Sequence, residues 1–475
     1  MSDRADVALS LISHTNAGKT TLARTLLDRD IGEVRDAAHV TQEASIHTLI
    51  ETPEGDRLSL WDTPGFGDSA RLAKRLAQQS SPVGWFLTQV WDRYRDRTFW
   101  LTQKAVRNVR DEADVVLYLV NVSEDPQDAG YLAPELAVLA WVGKPVIALL
   151  NQTGTEGAGD EARWRERLAA AHVGDVLPLD AFARCWVQEL ALFEVIARVL
   201  PERKQRAFGR LDAAWQARRR GQFDAAMEAI AATVARAACD RVTLPQDKLL
   251  TTVGRQLGIG RSEAESSVQR AERDMAMRIE ADFRACTDRL IEIHRLKGNA
   301  EAEALIHRGG GLRREAPVDE GKATLVGGIV GGALTGLGAD LAAGGLTLGG
   351  GMLAGALLGA LGGAGVAHGM NLVRERTHAI LAWDDAFLRV LAGEMLLRYL
   401  AVAHFGRGRG DWKSSEPPAR WREHVQTAIE ARRAELTDIW AAGASDTAAV
   451  KARLWPVLAA CGLEVLDALY RRPPQ

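Results

Sequence analysis

VALSLISHTNAGKTTLARTLL (7–27) is the stretch that decides the fold of this chain. The apolar run Val7–Ile12 predicts a buried strand, and a helical pattern follows over Thr20–Asp28. Between them lies SHTNAGKTT (13–21), at the strand-to-helix junction where a phosphate-binding loop belongs. Backbone N–H groups and a helix N-terminus favour anionic phosphates, so this junction is predicted to bind phosphate.

Side chains of this loop have separate predicted tasks. Lys19 is expected to reach the β- and γ-phosphates, the Thr20 hydroxyl to bind Mg²⁺, and Gly18 to let the backbone approach the phosphates closely. Ser13 replaces the first glycine of the pattern GxxxxGK[ST], which serine can do if its φ is negative. The alternative interpretation is a helix cap that happens to carry GKTT.

Three further motifs follow predicted strands. In LSLWDTPGFGD (58–68), Asp62 ends a strand and is placed to hold the Mg²⁺ shell, while the Gly65 N–H is placed to contact a γ-phosphate. KPVIALLNQTG (144–154) ends a buried strand at the position of a base-recognition loop, and LPLDAF (177–182) is a weaker fourth element. A plain turn after a strand is the alternative in each case.

Strands and helices alternate over residues 6–200, which predicts an α/β domain with a mainly parallel sheet and helices on both faces. After Pro201 the chain is rich in Ala, Arg and Glu, and 261–296 reads as one long amphipathic helix. We therefore expect a mostly α-helical C-terminal region. The predicted divisions are 1–200 for the α/β domain, 201–306 for a helical linker or stalk, and 307–475 for a C-terminal helical domain.

The order SHTNAGKT, a switch threonine, DTPG, NQTG and LDA resembles the TrmE/Era/EngA-type P-loop GTPases of the translation-factor-related class, over about residues 5–200. Together with the C-terminal half, the chain resembles bacterial proteins that join such a G domain to a domain of unknown function. The resemblance implies GTP and GDP as ligands, Mg²⁺ as cofactor, a low intrinsic rate of GTP hydrolysis and a cytoplasmic location.

The resemblance also assigns residues. Asn16 matches the asparagine with which some relatives coordinate K⁺, an ion that offsets phosphate charge as an arginine finger does. Thr41 is the expected switch threonine on Mg²⁺, with Thr48 as the alternative, and Lys19, Asn16 and Thr41 form the expected catalytic set. The predicted nucleotide contacts are Ser13, Asn16, Ala17, Gly18, Lys19, Thr20, Thr21, Gly65, Asn151, Gln152, Asp180 and Ala181; the predicted metal ligands are Thr20, Thr41 and Asp62 for Mg²⁺ and Asn16 for K⁺.

Two departures from the family pattern concern base choice and hydrolysis. Gly154 stands where an aspartate would accept hydrogen bonds from guanine, so guanine specificity is implied by the family and not by this loop. Phe66 stands where Ras-like proteins carry a water-orienting glutamine. The attacking water then needs Asp68, a switch residue or a partner.

Composition excludes several classes. The 475 residues are 47% apolar with a net charge of −3, which is a globular balance without a general preference for nucleic acid. The four cysteines are far apart, which argues against a disulfide framework or a structural zinc site. The start MSDRADVALS carries no secretory signal pattern.

Two segments allow competing interpretations. Residues 69–112, rich in Trp and Arg, form either an extra helix packed on the G domain or a nucleotide-gated surface for a partner, including a homodimer through the switch regions. Residues 202–221 carry seven Lys/Arg against two carboxylates and form either a solvated helix face or a contact for anionic lipid or RNA.

The segment 323–373 is apolar and glycine-rich. Its glycines recur four apart, at 328, 332 and 336 and again at 351, 355, 359 and 363, so they share a helix face and permit close packing. Its length suffices for two membrane spans, and basic residues at both ends favour a hairpin with both termini cytoplasmic, at the inner membrane. The alternative is a soluble Gly/Ala-rich hairpin.

The leading hypothesis is a GTPase switch coupled to a helical C-terminal domain that associates with membrane lipid or a membrane protein. One alternative is a soluble GTPase associated with RNA, the ribosome or tRNA modification, although no RNA-binding motif is evident. A second is a nucleotide-binding structural module with negligible turnover.

Overall fold

The computed structural model describes residues 4–14, 17–29, 45–63, 66, 69–77, 97–151, 158–180, 186–244, 261–300, 370–374, 379–407, 410–415, 417–442 and 446–470. The chain divides into two compact units. The first comprises Met1–Gly221 with Ala403–Asp411, and the second Gln222–Val402 with Trp412–Gln475. The division at 1–200, 201–306 and 307–475 stays a prediction.

A six-stranded sheet forms the centre of the first unit. Its strands are β1 (Asp6–Ser13), β2 (Ser45–Glu51), β3 (Arg57–Asp62), β4 (Val115–Asn121), β5 (Val146–Asn151) and β6 (Asp175–Pro178). Their order is β2-β3-β1-β4-β5-β6, and all neighbours are parallel except the antiparallel pair β2–β3. The predicted mainly parallel α/β fold is therefore confirmed.

Central strands of this sheet are buried on both faces, as parallel strands covered by helices are. Six of the seven residues of β4, VVLYLVN, are buried, and alternate side chains enter two separate apolar clusters. Strand β2 was not predicted from the sequence. It is an edge strand, and its residues from Ser45 to Thr48 are half-buried or exposed, so it lacks the long apolar run that marks the interior strands.

Helices of the first unit alternate with its strands, as the sequence predicted. They are α1 (Lys19–Leu27), α2 (Ser69–Ala77), α3 (Arg97–Glu112), α4 (Leu132–Val142), α5 (Ala158–Ala170) and α6 (Trp186–Val199). Within the tryptophan- and arginine-rich excursion, α3 buries Phe99, and the Arg71 guanidinium of α2 lies 3.9 Å from the Phe99 ring. The described part of that excursion therefore contains the predicted extra helix.

A long helix, α7 (Glu202–Cys239), contains the basic segment 202–221. Four of its seven basic side chains pair with carboxylates of the first unit: Lys204 with Asp114, Arg210 with Asp56, Arg218 with Asp28, and Arg219 with both Asp28 and Glu189. These four side chains therefore fit neither predicted alternative, a solvated helix face or a contact for lipid or RNA. Their charge is matched inside the protein, and Arg219 is 2% exposed.

The second unit is mostly helical and includes a small sheet that the sequence did not predict. Residues of α7 from Gln222 onward belong to it, together with β7 (Arg241–Leu244), α8 (Arg261–Ile293), β8 (Met370–Arg374), β9 (Ala379–Trp383), α9 (Asp385–Ala403, up to Val402), α10 (Ala419–Ala431), α11 (Arg433–Ala442) and α12 (Thr447–Tyr470). The three strands are antiparallel in the order β7-β9-β8. Helix α8 confirms the predicted long helix.

Two glycines allow close approaches in this unit. A Cβ on Gly298, whose φ is +105°, would lie 2.8 Å from the Trp412 carbonyl oxygen. A Cβ on Gly462 of α12 would lie 3.1 Å from the Phe223 ring, so α12 and α7 pack tightly at this point. Helix α9 is buried on nearly all sides, with Leu391 and Met395 fully enclosed.

The predicted glycine-rich hairpin is corrected at its C-terminal end. Met370–Val373 belong to strand β8, which pairs with β9, because extended backbone there gains partners that a helix would not. The remainder, 323–369, lies outside the described residues. Among the helices that the structure describes, none is both long and apolar enough to cross a membrane.

Candidate nucleotide site

The phosphate loop connects β1 to α1 at the carboxyl edge of the sheet. Gly18 is the N-cap of α1 and has φ +93°, a left-handed conformation that glycine adopts without steric cost. A Cβ at this position would lie 2.7 Å from the Asn151 amide nitrogen. Glycine is therefore required here for backbone conformation and for space.

Lys19 is almost completely buried, and its ammonium group points back across the loop. Nζ donates to the Ser13 hydroxyl at 2.9 Å and to the His14 carbonyl at 3.4 Å. Burial lowers the pKa of Lys19 to about 8, an effect that the nearby carboxylates of Asp62 and Glu135 oppose. The positive charge of Lys19 is thus confined at the N-terminus of α1, where a phosphate would stabilise it.

Ser13 fits its unusual position in the loop. It is the last residue of β1 and is not among the described non-glycine residues with positive φ, so the condition that the sequence set for serine is met. Its hydroxyl accepts the Lys19 hydrogen bond and donates to the His14 carbonyl. Serine thus adds a side-chain contact to Lys19 that glycine lacks.

Thr20 and Asp62 come together as the predicted metal ligands. The Thr20 hydroxyl donates to Asp62 Oδ2 at 2.9 Å, although the residues are 42 positions apart, because β3 lies beside β1 with Asp62 opposite Leu11. The second oxygen, Oδ1, is buried and has no hydrogen-bond partner among the residues that the structure describes. Burial raises the pKa of Asp62, and the Thr20 hydrogen bond and the Lys19 charge oppose that rise. A hydroxyl and a carboxylate with one unsatisfied oxygen suit Mg²⁺, which prefers oxygen ligands.

Asn151 joins the base-recognition strand to the phosphate loop. It is fully buried at the end of β5, and its amide donates to the Ala17 carbonyl at 2.9 Å. Asp180 lies two residues after the end of β6, and the Leu179 N–H donates to the Leu150 carbonyl at 3.0 Å. The two predicted base-recognition residues therefore lie at the ends of neighbouring strands, at the same edge of the sheet.

The structure describes some of the predicted switch residues and not others. Phe66 N–H donates to the Ser13 carbonyl at 3.1 Å and its ring is buried in an apolar cluster, so Phe66 connects the second switch to the loop through its backbone. Thr48, the alternative switch threonine, pairs with Ser59, three residues before Asp62. At about 3.3 Å per strand residue, it is roughly 10 Å from the Asp62 position, too far to share its metal.

Several predicted site residues lie outside the described residues: Asn16, Thr41, Gly65, Gln152 and Ala181, along with Asp68 and Gly154. Their roles stay predictions. Thr21 is described and lies in the first turn of α1 with a buried side chain. The structure therefore brings together Ser13, Ala17, Gly18, Lys19, Thr20, Asp62 and Asn151, with Asp180 following the next strand.

Sequence reasoning missed a polar network below the loop. His14 Nδ1 lies 2.9 Å from Glu135 Oε1, and the Tyr118 hydroxyl donates to Glu135 Oε2 at 2.7 Å. Glu135 is fully buried, and burial raises its pKa while the hydrogen bonds from His14 and Tyr118 oppose that rise. One signal was available: Glu135 is the only charged residue of the helix LAPELAVLAWV.

Two family models match this chain. A family model described as 50S ribosome-binding GTPase matches residues 8–152, and one described as Domain of unknown function (DUF3482) matches residues 165–451, well over half of the chain. None of the curated proteins is a match.

Similar solved structures include two of Era. One, Era in complex with MgGDPNP and nucleotides 1506–1542 of 16S ribosomal RNA, is 19% identical over 42% of this chain and 58% of that one, with a TM-score of 0.31. A variant of Aquifex aeolicus Era bound to GDP·AlF4⁻ is also 19% identical, over 42% of this chain and 57% of that one, with a TM-score of 0.28.

The bacterial selenocysteine-specific elongation factor EF-Sec is 16% identical over 37% of this chain and 25% of that one, with a TM-score of 0.23. The chain spans little more than half the length of the two Era structures. With identities and TM-scores this low, these similarities add no argument to the motifs and geometry above.

Proposed function

Because the chain belongs to the family of the domain of unknown function DUF3482 and begins with a P-loop GTPase domain, we propose that it binds GTP with Mg²⁺ and hydrolyses it to GDP and phosphate. The observation that carries this proposal is the convergence of Lys19, Thr20 and Asp62 at one edge of the sheet. Lys19 and Thr20 come from the start of α1 and Asp62 from the end of β3, and phosphoryl transfer to water depends on such groups being positioned around the phosphates and Mg²⁺.

Each residue of this group has a task that its geometry suits. Lys19 supplies a confined positive charge for the β- and γ-phosphates, and Thr20 and Asp62 would hold Mg²⁺. When bound, Mg²⁺ neutralises charge on the phosphate oxygens. Asn151 ties the base-recognition strand to the loop through Ala17, so the base and phosphate sites are held in register.

Guanine is the proposed base on family grounds. Gly154 provides no carboxylate for guanine N1 and the 2-amino group, while Asn151 and Asp180 follow neighbouring strands of the same edge. Losing one hydrogen-bond partner for guanine lowers the difference in binding free energy between guanine and other bases by roughly 1–3 kcal/mol. We therefore expect a preference for GTP over ATP that is smaller than in GTPases with a complete NKxD motif.

Equilibrium titration with fluorescent GTP and ATP analogues, with and without Mg²⁺, tests this proposal together with phosphate release. We expect Mg²⁺-dependent binding that favours GTP, and turnover that Lys19→Ala abolishes. Lys413→Ala, which removes an exposed lysine of the second unit, is the matched control and should behave as the wild type. ATP bound as tightly as GTP would remove the guanine assignment, and turnover surviving in Lys19→Ala would remove the proposed site.

Switching and monovalent-ion dependence are finer proposals for the same site. We assign Thr41 to Mg²⁺ as a switch threonine, Gly65 to γ-phosphate sensing, Gln152 and Ala181 to the base, and Asn16 to a K⁺ that offsets charge between the phosphates. Running the hydrolysis assay in KCl and in NaCl checks Asn16, because equal rates in both salts are incompatible with its assignment. A homodimer through the switch regions is the proposed source of further activation.

Membrane coupling is proposed for the C-terminal region. Its support is the composition of 323–369, which is apolar, glycine-rich and flanked by basic residues, and which would place the protein on the cytoplasmic side of the inner membrane. RNA binding has no comparable support. The basic segment 202–221 is a candidate contact for anionic lipid or RNA, but four of its seven basic side chains pair with carboxylates of the first unit.

A further inference from the structure

A buried carboxylate connects the phosphate loop to the helix that follows the fourth strand. Glu135, in the first turn of α4, bonds to the imidazole of His14 on one oxygen and to the hydroxyl of Tyr118 on the other. Both contacts are within 2.9 Å, and the glutamate is 0% exposed. Both carboxylate oxygens are therefore satisfied inside the protein.

His14 is held on a second side by stacking. Its ring is 4.0 Å from that of Tyr131, with an angle of 13° between the planes, and the Tyr131 hydroxyl donates to Glu124 at 2.8 Å. Tyr131 is the N-cap residue of α4. Stacking together with a hydrogen bond leaves the imidazole little freedom to rotate, so the backbone of His14 is fixed as well.

The backbone of His14 contacts the phosphate-binding lysine. Its carbonyl accepts from Lys19 Nζ and from the Ser13 hydroxyl, which is itself the other acceptor for Lys19. Residue 14 thus has its side chain bonded to Glu135 and its carbonyl directed at Lys19. If the His14 imidazole is released from Glu135, the His14 carbonyl that helps to place the Lys19 ammonium group is released as well.

Burying a carboxylate costs free energy unless its hydrogen bonds are complete, and apolar residues of similar size fill a core more cheaply. The rest of α4 is apolar, and α2, the helix after the second switch, packs on α4. A glutamate at this one position therefore indicates a task besides packing.

We propose that Glu135 is a positioning residue for nucleotide binding: through His14 it fixes the loop carbonyl and Lys19 in the arrangement that accepts the phosphates. This inference rests on the proposed function, because it concerns the same site. It assigns to Glu135 no contact with the nucleotide.

Nucleotide titrations of the full chain test the proposal, with fluorescent GTP and GDP analogues and a thermal melt of each variant. Glu135→Ala and His14→Ala should each weaken binding about tenfold, and the double variant should bind no more weakly than either single variant, since both act through one network. Glu135→Gln keeps an acceptor for Tyr118 and a donor for His14, so it should stay within about threefold of the wild type.

Glu189→Ala is the matched control, because Glu189 is equally buried in the same unit and accepts hydrogen bonds from Trp215 and Arg219. It should lower the melting temperature and leave nucleotide affinity unchanged. His14 is about one-third exposed, so His14→Ala keeps the test decisive even if Glu135→Ala fails to fold.

Wild-type affinity in folded Glu135→Ala or in His14→Ala would overturn the proposal. So would losses that multiply in the double variant, or a loss as large in Glu189→Ala. A wild-type chain that binds neither nucleotide would instead overturn the proposed function itself, and this inference with it.

Discussion

Gly18 combines a left-handed backbone with a close approach to Asn151, and this combination illustrates what single residues do in the site. The motif GKT predicted glycine at this position, but the motif does not say which neighbour excludes a side chain. That neighbour is Asn151, the asparagine proposed for base recognition, whose amide holds the Ala17 carbonyl. The proposed phosphate and base sites therefore meet at a single glycine.

Gly18→Ala is expected to weaken nucleotide binding by at least tenfold while the protein stays folded. A left-handed conformation costs an L-residue roughly 1–2 kcal/mol, and the new methyl would displace the Asn151 amide. Titration with a fluorescent GTP analogue measures the effect. Gly174→Ala, where an added Cβ meets nothing within 4 Å, is the control, and equal affinities for the two variants would contradict this account.

At the scale of elements, the first half of α7 belongs to the core of the first unit. Trp215 is fully buried against Phe193 of α6, with ring centroids 5.1 Å apart. One turn later, Arg219 bonds to Glu189 of α6 and to Asp28, the C-cap residue of α1. Composition alone described 202–221 as basic, and only the neighbouring carboxylates reveal where those charges go.

Arg219→Ala is expected to destabilise the protein by roughly 3–5 kcal/mol, because it leaves the buried Glu189 carboxylate without its charged partner. Urea or thermal unfolding of the full chain, followed through its first transition, measures the loss. Arg203→Ala removes the same charge from an exposed position of the same helix and should change stability by less than about 0.5 kcal/mol. Comparable losses in both variants would show that Arg219 acts only through net charge.

At the scale of the whole molecule, the chain consists of two compact units and a glycine-rich segment whose composition differs from both. The second unit coincides with much of the matched domain of unknown function, and its interior is built from helices with one three-stranded sheet. Nothing in the described helices offers a membrane-spanning segment. The proposed attachment to lipid rests on the composition of 323–369.

Replacing 323–369 by a Gly/Ser linker of equal length is expected to abolish carbonate-resistant pelleting of the protein with membranes. Apolar helices of about 20 residues are what a bilayer retains, and a Gly/Ser linker carries no apolar side chains. Immunoblotting of the membrane and supernatant fractions measures the distribution, with Lys19→Ala as a control that keeps the segment. Pelleting that survives the replacement would refute the proposed attachment.

The sequence by itself determined the α/β order and the motifs that carry Lys19, Thr20 and Asp62, because these depend on local patterns: apolar strand runs, helix periodicity and motif spacing. Tertiary structure decided the rest. The small sheet of the second unit and the Glu135–His14 contact depend on partners far along the chain, 121 residues apart in the last case. Strand β2 pairs with the adjacent β3, but it lacks the apolar run by which the sequence marks a strand. Local pattern specifies which backbone forms; only packing specifies which buried charge meets which partner.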